Sequence, residues 1–390
     1  MSDIRERALR LHEENHGKLE IKSKVKCDNE DDLALAYTPG VAEPCKEIFN
    51  DIQNAYRYTG KGNTVAIVTD GTAVLGLGDI GPTAALPVME GKALLTKKFA
   101  NVDAIPICLD TKDSKEIIQI IKALVPGFGA IHLEDISAPR CVEIERALIE
   151  EINIPVFHDD QHGTSIVVLA ALINYLRLSK QKPSQLKIVM NGTGAAGSAV
   201  IRMLYQYGFK NIIAFDKDGC LIQDEKEKYD FLKQEMLDYV NLENIHYKNL
   251  AEALKGADIF IGASIGGVVT KEMVESMAEK NMVISLANPI PEISYQLAKE
   301  AGAFIACTGR SDAPNQVNNL LVFPGMFRGV LDARATKISD ATKQAAAQAI
   351  ADLIDDQSLD VEYIIPSPFD ERVVPAVSQA VKEVCLKERA

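Results

Sequence analysis

The segment 131–164 constrains this chain most, because it carries two acidic pairs at the spacing of a strand–helix–strand unit. One short apolar run ends on Glu134 and Asp135, and a second run ends on Asp159 and Asp160. The residues between the two pairs have the length and apolar spacing of a single helix. Parallel strands joined in this way end side by side at the carboxyl edge of a sheet. The sequence therefore predicts that four carboxylates converge in a small volume.

Carboxylates that lie so close together repel one another unless a cation binds them. Several hard oxygen ligands suit Mg²⁺ or Mn²⁺ rather than zinc. The alternative is that acidic pairs after strands cap helices or lie in solvated loops. One pair alone favours that alternative. Two pairs at this spacing favour a metal site, because the chain also carries the dinucleotide-binding motif described next.

The second strong signal is a glycine-rich turn between an apolar strand predicted at 186–190 and an apolar helix. Gly192 allows the tight turn, Gly194 lets a pyrophosphate approach the backbone, and Gly197 packs the helix on the strand. A second predicted strand then ends on Asp216, which can bind ribose hydroxyls. A bare GxGxxG is weak, but this order of elements predicts a dinucleotide site. Its candidate residues are Gly192, Thr193, Gly194, Ala195, Ala196, Gly197, Asp216, Ser264 and Asn288.

Alternating strands and helices over 390 residues predict an α/β protein with more than one domain. We expect an N-terminal α/β domain with a parallel sheet at 1–160 and a Rossmann-type, doubly wound NAD-binding domain at 161–330. Residues 331–390 are expected to form helices that pack back on the first domain. Alternation at 18–26 also suggests an edge strand.

Composition narrows the class of partners. A net charge of −13 without a basic stripe argues against nucleic acid. The seven cysteines are scattered singly, as is typical of reduced cytosolic thiols, and no apolar run reaches membrane-spanning length. We therefore expect a cytoplasmic protein with neither nucleic acid nor membrane as a partner.

Two further residues are candidates for proton transfer. Lys92 lies among apolar residues of a helix predicted at 83–99, where burial would lower its pKa and make it a usable base. Tyr37 precedes a Pro-Gly turn that can present its hydroxyl to a site. The alternatives are a lysine on a solvated face and a half-buried surface tyrosine.

Eight short motifs in this order resemble those of malic enzymes of the short bacterial type, and the resemblance covers nearly the whole chain. The motifs lie at 37–42 (YTPGVA), 74–79 (VLGLGD), 87–92 (PVMEGK), 133–136 (LEDI), 157–164 (FHDDQHGT), 287–289 (ANP), 318–320 (NNL) and 323–325 (FPG).

The resemblance implies oxidative decarboxylation of L-malate to pyruvate and CO₂, with reduction of NAD(P)⁺ and a required Mg²⁺ or Mn²⁺. It also implies a homodimer. Mapped onto this chain, Glu134, Asp135 and Asp160 become the metal ligands. Lys92 becomes the general base with Asp159 beside it, and Tyr37 becomes the acid that protonates the enol intermediate.

Two departures from the family pattern stand out. Longer malic enzymes have a substrate-binding arginine where this chain has Thr72-Ala73, so another group must hold the distal carboxylate, and Asn288 and Asn318 are the candidates. For each asparagine, turn chemistry is the alternative. Arg140 stands where an acid is common in short homologues, and the sequence offers no reason for it.

Asp216 favours NAD over NADP because it repels a 2′-phosphate, although the adjacent Lys217 weakens that preference. Three alternatives to malic enzyme stay open. The same site supports an oxaloacetate decarboxylase or a malolactic enzyme, and the same fold supports a non-catalytic NAD-binding regulator.

Overall fold

A computed structural model of the chain describes residues 2–389, which form two separate sheets with helices around them. The first sheet has four parallel strands in the order β2-β1-β3-β4. These strands are β1 (Thr64–Thr69), β2 (Asp103–Cys108), β3 (Ala130–Leu133) and β4 (Val156–His158). Leu133 pairs with His158, so β3 and β4 end at the same edge, as the sequence predicts.

Seven helices belong to this first part of the chain. They are α1 (Ser2–Asn15), α2 (Glu30–Ala36), α3 (Ala42–Asn50), α4 (Ala55–Tyr58), α5 (Pro82–Ala100), α6 (Ser114–Leu124) and α7 (Arg140–Glu151). Helix α7 is the predicted connection between the two acidic pairs. The edge strand expected at 18–26 is wrong, because these residues, exposed except for Lys18, form coil and bends and pair with none of the described strands.

The second sheet has the order β10-β9-β8-β5-β6-β7, and only β7 runs antiparallel to its neighbour. The strands are β5 (Lys187–Asn191), β6 (Asn211–Asp216), β7 (Gly219–Cys220), β8 (Ile259–Gly262), β9 (Met282–Ser285) and β10 (Ile305–Thr308). Strand order reverses at β5, which lies between β6 and β8, and ligands of doubly wound sheets bind at such a reversal. The predicted α/β fold class is confirmed.

Five helices accompany this sheet, and one long helix connects it to the first. The five are α9 (Ala195–Tyr207), α10 (Phe231–Met236), α11 (Leu250–Leu254), α12 (Lys271–Glu275) and α13 (Tyr295–Glu300). The connecting helix, α8 (Asp159–Ser179), begins directly where β4 ends and is buried along most of its length. Asp159 and Asp160 therefore occupy its first turn.

The C-terminal part forms α14 (Phe323–Ala333), α15 (Asp340–Ala351) and α16 (Val373–Arg389). Helix α14 packs on α16 closely because Gly325 and Gly329 face it. A Cβ added at either glycine would lie 2.7 Å from a valine of α16. Helix α14 also packs on α5 and β3, so it connects this part of the chain to the first sheet. None of the described helices is long and apolar enough to cross a membrane.

Candidate active site

The ends of β3 and β4 bring the four predicted carboxylates together. One oxygen each from Glu134, Asp135 and Asp160 lies within 4.8 Å of the other two. The backbone N–H of Asp135 donates to Asp160 Oδ2 at 2.8 Å, which fixes one pair to the other. Glu134, Asp135 and Asp159 are buried, so their mutual repulsion is poorly screened by water.

The backbone at Asp135 is held in an uncommon conformation. Its φ is +54°, in the left-handed region that few non-glycine residues adopt. The carbonyl of Asp135 accepts a hydrogen bond from the N–H of Ala73 at 3.0 Å, which helps to hold this conformation. The direction of the Asp135 carboxylate is therefore set by the fold around it.

These residues fit a hard divalent cation. The carboxylates offer an all-oxygen set of the kind that Mg²⁺ and Mn²⁺ prefer. Asp159 Oδ1 is buried without a hydrogen-bond partner. Burial raises the pKa of Glu134 to about 8, against the opposing effect of Lys92. A bound cation would favour the ionised form of that carboxyl.

His132 lies behind this set. Burial lowers the pKa of His132 to about 3, so the imidazole is neutral. Its Nε2 lies 2.7 Å from Glu134 Oε2, and the ring stacks on Phe327 with 5.1 Å between ring centroids. His132 with Glu134 and Asp159 forms a second possible ligand group, but its nitrogen suits softer metals better than Mg²⁺.

Lys92 reaches this cluster from α5. Its Nζ lies 2.5 Å from Asp159 Oδ2 and 3.0 Å from Glu134 Oε1, and 4.8 Å from the centre of the Phe323 ring. Burial lowers the pKa of Lys92, but the negative charges of Asp159, Glu134 and Asp160 outweigh burial and raise it. The expectation of a lowered pKa is therefore wrong for these side chains alone, because the desolvated lysine lies among carboxylates.

Two residues hold Asp159 in place. Asn319 Nδ2 donates to Asp159 Oδ2 at 2.6 Å. A Cβ at Gly163 would lie 2.0 Å from Asp159 Oδ1, so only glycine leaves room for that carboxylate. Gly163 was missed as a site residue, although it belongs to the same motif at 157–164 as Asp159.

A cleft of about 470 Å³ joins this cluster to the second sheet. The lining side chains include Lys92, Glu134, Asp135 and Asp160 from the first part of the chain. From the second part they include Ser264, Asn288, Asn318 and Asn319. Ala73, at the position of the absent arginine, lines it too. Among the described residues that line the cleft, Lys92 is the only cation.

Tyr37 does not reach this cleft. Its side chain is 66% exposed, and Tyr37 is not among the described residues that line the cleft. Tyr37 ends helix α2, where its N–H donates to the carbonyl of Leu33. The structure therefore does not bring the predicted acid together with Lys92 within one chain.

Arg140 now has a structural explanation. Its guanidinium donates to Asp70 Oδ2 at 2.6 Å, to Thr72 Oγ1 at 3.0 Å and to the carbonyl of Lys112 at 2.8 Å. Thr72 Oγ1 in turn accepts from the N–H of Ser137 at 3.0 Å. Arg140 compensates a buried carboxylate and fixes the loop beside Ala73, so it positions the wall of the cleft without lining it.

The glycine-rich turn forms a second cavity of about 680 Å³ beside the first. Gly192 has a φ of +112°, and a Cβ at Gly197 would lie 1.9 Å from the Gly192 carbonyl. Nothing lies within 4 Å of a Cβ at Gly194, which leaves that face open to a ligand. Thr193, Asp216 and Ser264 line this cavity, and Ser264 also lines the cleft. Ala196 lines the cleft instead, whereas Ala195 lines neither.

Asp216 is paired with a lysine that no sequence motif indicated. Lys233 Nζ contacts Asp216 Oδ2, and the N–H of Asp218 donates to Oδ1 at 2.8 Å. Burial raises the pKa of Asp216, but these interactions outweigh burial and lower it. Lys233 lies on α10, well after Asp216 in the chain, and belongs to none of the sequence motifs.

An acidic cluster that shares a cleft with a dinucleotide pocket is typical of metal-dependent dehydrogenases. Within that class, residues 16–149 match the family "Malic enzyme, N-terminal domain", and residues 161–386 match "Malic enzyme, NAD binding domain". The chain belongs to the malic enzyme family.

Several relatives are similar over most of their length. The bifunctional malic/malolactic enzyme of Bacillus subtilis is 53% identical over 98% of this chain and 93% of its own. The NAD-dependent malic enzyme of Geobacillus stearothermophilus is 53% identical over 95% of this chain and 77% of its own. The crystal structure of an NAD-dependent malic enzyme from Thermotoga maritima is 47% identical, with a TM-score of 0.92, and covers 96% of this chain and 98% of its own.

The acidic cluster makes a direct prediction about metal binding. Asp160→Asn removes one charged oxygen ligand and should weaken Mn²⁺ binding by at least about tenfold, the smallest effect usual even for outer-shell changes. Electron paramagnetic resonance of free Mn²⁺ during a titration measures this affinity. Asp238→Asn, an exposed carboxylate just after α10, is the matched control. Equal Mn²⁺ affinity of Asp160→Asn and the wild-type protein would remove Asp160 from the ligand set.

Proposed function

We propose that this protein converts L-malate to pyruvate and CO₂ with reduction of NAD⁺, in the presence of Mg²⁺ or Mn²⁺. One observation supports this most. The cleft that holds Lys92 and three carboxylates adjoins the dinucleotide cavity, and Ser264 lines both. Relatives named NAD-dependent and NADP-dependent malic enzymes support the same reaction.

Glu134, Asp135 and Asp160 would hold the divalent cation. When bound, the cation supplies positive charge that stabilises negative charge on substrate oxygens and offsets the carboxylates around Lys92. The left-handed backbone at Asp135 and the hydrogen bond from its N–H to Asp160 keep these carboxylates in place.

Lys92 and Asp159 act together as the base that takes the substrate's hydroxyl proton. Asp159 Oδ2 accepts hydrogen bonds from both Lys92 and Asn319. Burial raises the pKa of Asp159 to about 6, so this carboxyl can exchange a proton near neutral pH. Asp159 can therefore accept a proton from the Lys92 ammonium. That transfer leaves the neutral amine, which is the form of Lys92 that acts as a base.

Asn288 and Asn318 bind the substrate's distal carboxylate in place of the absent arginine, with help from Asn319. All three line the cleft. The side-chain oxygen of Asn318 accepts from the N–H of Leu320 at 2.9 Å, which leaves its amide nitrogen as the donor. Amide donors are weaker than a guanidinium, so we expect malate to be held largely through the metal.

Malolactic conversion of malate to lactate is a second candidate, because the relative from Bacillus subtilis is named for both activities.

We also propose three general properties of the protein. The domains divide near residues 160 and 330. The protein is cytoplasmic, and its seven free cysteines suit that compartment. Its partners include neither nucleic acid nor a membrane.

Absorbance of NADH distinguishes the two reactions. Purified protein with L-malate, Mn²⁺ and NAD⁺ should form NADH and pyruvate together, and a chelator should abolish both because the carboxylate cluster then lacks its cation. Lactate formation without any rise in NADH absorbance would instead identify a malolactic enzyme. An absence of both products would contradict catalysis on malate.

Lys92→Ala should lower kcat by at least about 100-fold, because it removes a general base from the reacting centre. Binding of NAD⁺, measured by calorimetry, should be unchanged, since Lys92 does not line the dinucleotide cavity. Lys98→Ala on the same helix, at an exposed position, serves as the control. Normal turnover by Lys92→Ala would remove Lys92 from the mechanism.

Tyr37 remains the proposed acid, and its position suggests that a second copy of the chain completes the site. Apolar side chains around it are exposed, including Leu33, Leu35, Val41 and Phe49. A homodimer that covers these residues can place Tyr37 of one protomer in the cleft of its partner.

Mixed dimers test this arrangement. Tyr37→Phe and Lys92→Ala proteins should each be inactive alone. If Tyr37 serves the partner's cleft, each mixed dimer has one intact site, so random reassortment of equal amounts restores about a quarter of wild-type activity. If Tyr37 serves its own chain, every site in a mixed dimer lacks one residue and no activity returns. Reassorted wild-type protein controls for losses on mixing.

The cofactor preference depends on Lys233 as well as Asp216. Lys233 partly neutralises Asp216, and Lys217 and Lys248 line the same cavity, so repulsion of a 2′-phosphate is reduced. We propose NAD as the preferred cofactor, with NADP accepted.

Lys233→Gln should leave the charge of Asp216 uncompensated. The ratio of kcat/KM for NAD⁺ over NADP⁺ should rise about fivefold, as an ion pair of ~1 kcal/mol implies. Lys228→Gln, an exposed lysine that does not line the cavity, should not change the ratio. An unchanged ratio in Lys233→Gln would show that this lysine has no part in cofactor choice.

A further inference from the structure

We propose that a separate cavity at the end of helix α14 binds a small anion that carries phosphate or more than one carboxylate, and that this anion regulates the enzyme. The cavity, called here the basic cavity, has a volume of about 650 Å³, within the usual range for small-molecule sites. It lies between α4, the turn at 125–127, the segment after α14 and the end of α16. It shares no lining residue with the cleft or the dinucleotide cavity.

Positive charge gathers at the basic cavity although the chain carries 55 acidic and 42 basic residues. Lys61, Arg334, Lys337 and Arg389 line it, and among residues 2–389 none of the four forms an ion pair with a carboxylate. The one acidic side chain in the lining, Glu388, accepts a hydrogen bond from Ser339 Oγ at 2.6 Å. Four cations without acidic partners around one cavity favour an anionic ligand.

Part of this positive charge is held in place by the fold. Lys61 Nζ donates to the carbonyls of Val125, Pro126 and Phe128 at 2.6, 3.2 and 2.7 Å. These bonds use all three donors of the ammonium, so Lys61 supplies charge to the cavity wall without a free donor. Arg334, Lys337 and Arg389 are left as donors to an anion.

Tyr56 contributes to the same wall. Its ring centre lies 5.3 Å from Lys61 Nζ and 5.6 Å from the Arg334 guanidinium. Cations at such distances from an aromatic ring are attracted to it. Tyr56 therefore helps to hold two of the four cations near each other in spite of their mutual repulsion.

Helix α14 connects the basic cavity to the catalytic centre. Arg334 follows the C-terminal end of this helix, while Phe323 at its start lies under Lys92. The eleven-residue helix spans about 16 Å, so a shift at one end is carried to the other. Phe327 of the same helix stacks on His132, which contacts the metal ligand Glu134. An anion on Arg334 would thus act on the helix that supports the proposed base.

Calorimetric titration of the full chain without divalent metal tests the binding site. Inorganic pyrophosphate and succinate are used separately, and at least one should bind saturably. Lys337→Gln/Arg389→Gln should weaken that binding at least about tenfold, because it removes two charged hydrogen-bond donors to the anion. Arg334→Gln should do the same and provides a second variant if the first does not fold. Lys182→Gln, an exposed lysine outside the cavity, is the control.

The two probes distinguish the chemistry of the ligand. Binding of pyrophosphate alone identifies a phosphate site, and binding of succinate alone identifies a dicarboxylate site. Saturable binding of neither probe would overturn the proposal. Equal affinity in wild-type and variant proteins would overturn it as well, because the probe would then occupy another site.

The regulatory part rests on the proposed function and has its own readout. The probe that binds should change the rate of malate turnover at subsaturating malate in the wild-type protein. It should leave the rate of Lys337→Gln/Arg389→Gln unchanged, and the basal activity of this variant should equal that of the wild type. Binding without any change in rate would overturn regulation. If no protein turns over malate, the proposed function fails while the calorimetric result still decides the binding site.

Discussion

Repulsion among four carboxylates at one sheet edge is the constraint on which the rest of this structure depends. Glu134 and Asp135 follow β3, and Asp159 and Asp160 open the helix that follows β4, so parallel pairing itself forces them together. The fold offsets this charge with one largely buried lysine, Lys92, which contacts two of the four. One cation against four carboxylates leaves negative charge that a divalent metal would balance. The proposed base and the proposed metal site are therefore consequences of the same charge imbalance.

The two sheets contribute different parts of the same cleft, and their approach is close. A Cβ at Gly76 would lie 2.4 Å from the Asn288 carbonyl oxygen, so the loop after β1 meets the loop after β9 with room only for glycine. Helix α8 begins at Asp159 and continues without interruption towards the second sheet. The first turn of this helix thus belongs to the acidic cluster, and its body fixes how the dinucleotide cavity faces that cluster. This arrangement explains why a long buried helix directly follows the second acidic pair.

The sequence predicted those features of the site that depend on short-range pattern. The two acidic strand ends, helix α7 between them and the glycine-rich turn before α9 all follow from periodicity and from glycine spacing. Features that depend on contacts between distant parts of the chain could not be predicted from these patterns. Lys233 meets Asp216 only because α10 packs beside α9 near the end of β6, and the carboxylates around Lys92 reverse the pKa shift that burial alone suggests.

Two further features also depend on the folded chain rather than on local pattern. Alternation at 18–26 is typical of a strand, yet a strand also needs a neighbour to satisfy its backbone, and the fold offers none there. The position of Tyr37 also could not be read from its motif, because exposure is a property of the folded chain. The roles of Lys92, Tyr37, Asn288 and the metal ligands remain predictions that rest on geometry and on family resemblance.

Anomalous diffraction from crystals grown with Mn²⁺ and NAD⁺ would show whether the carboxylates at the ends of β3 and β4 hold the cation. We predict one strong manganese peak within about 2.5 Å of carboxylate oxygens of Glu134, Asp135 and Asp160, in the cleft that Ser264 shares with the bound dinucleotide. A peak held instead by His132, Glu134 and Asp159, or no peak at the ends of β3 and β4, would contradict this prediction.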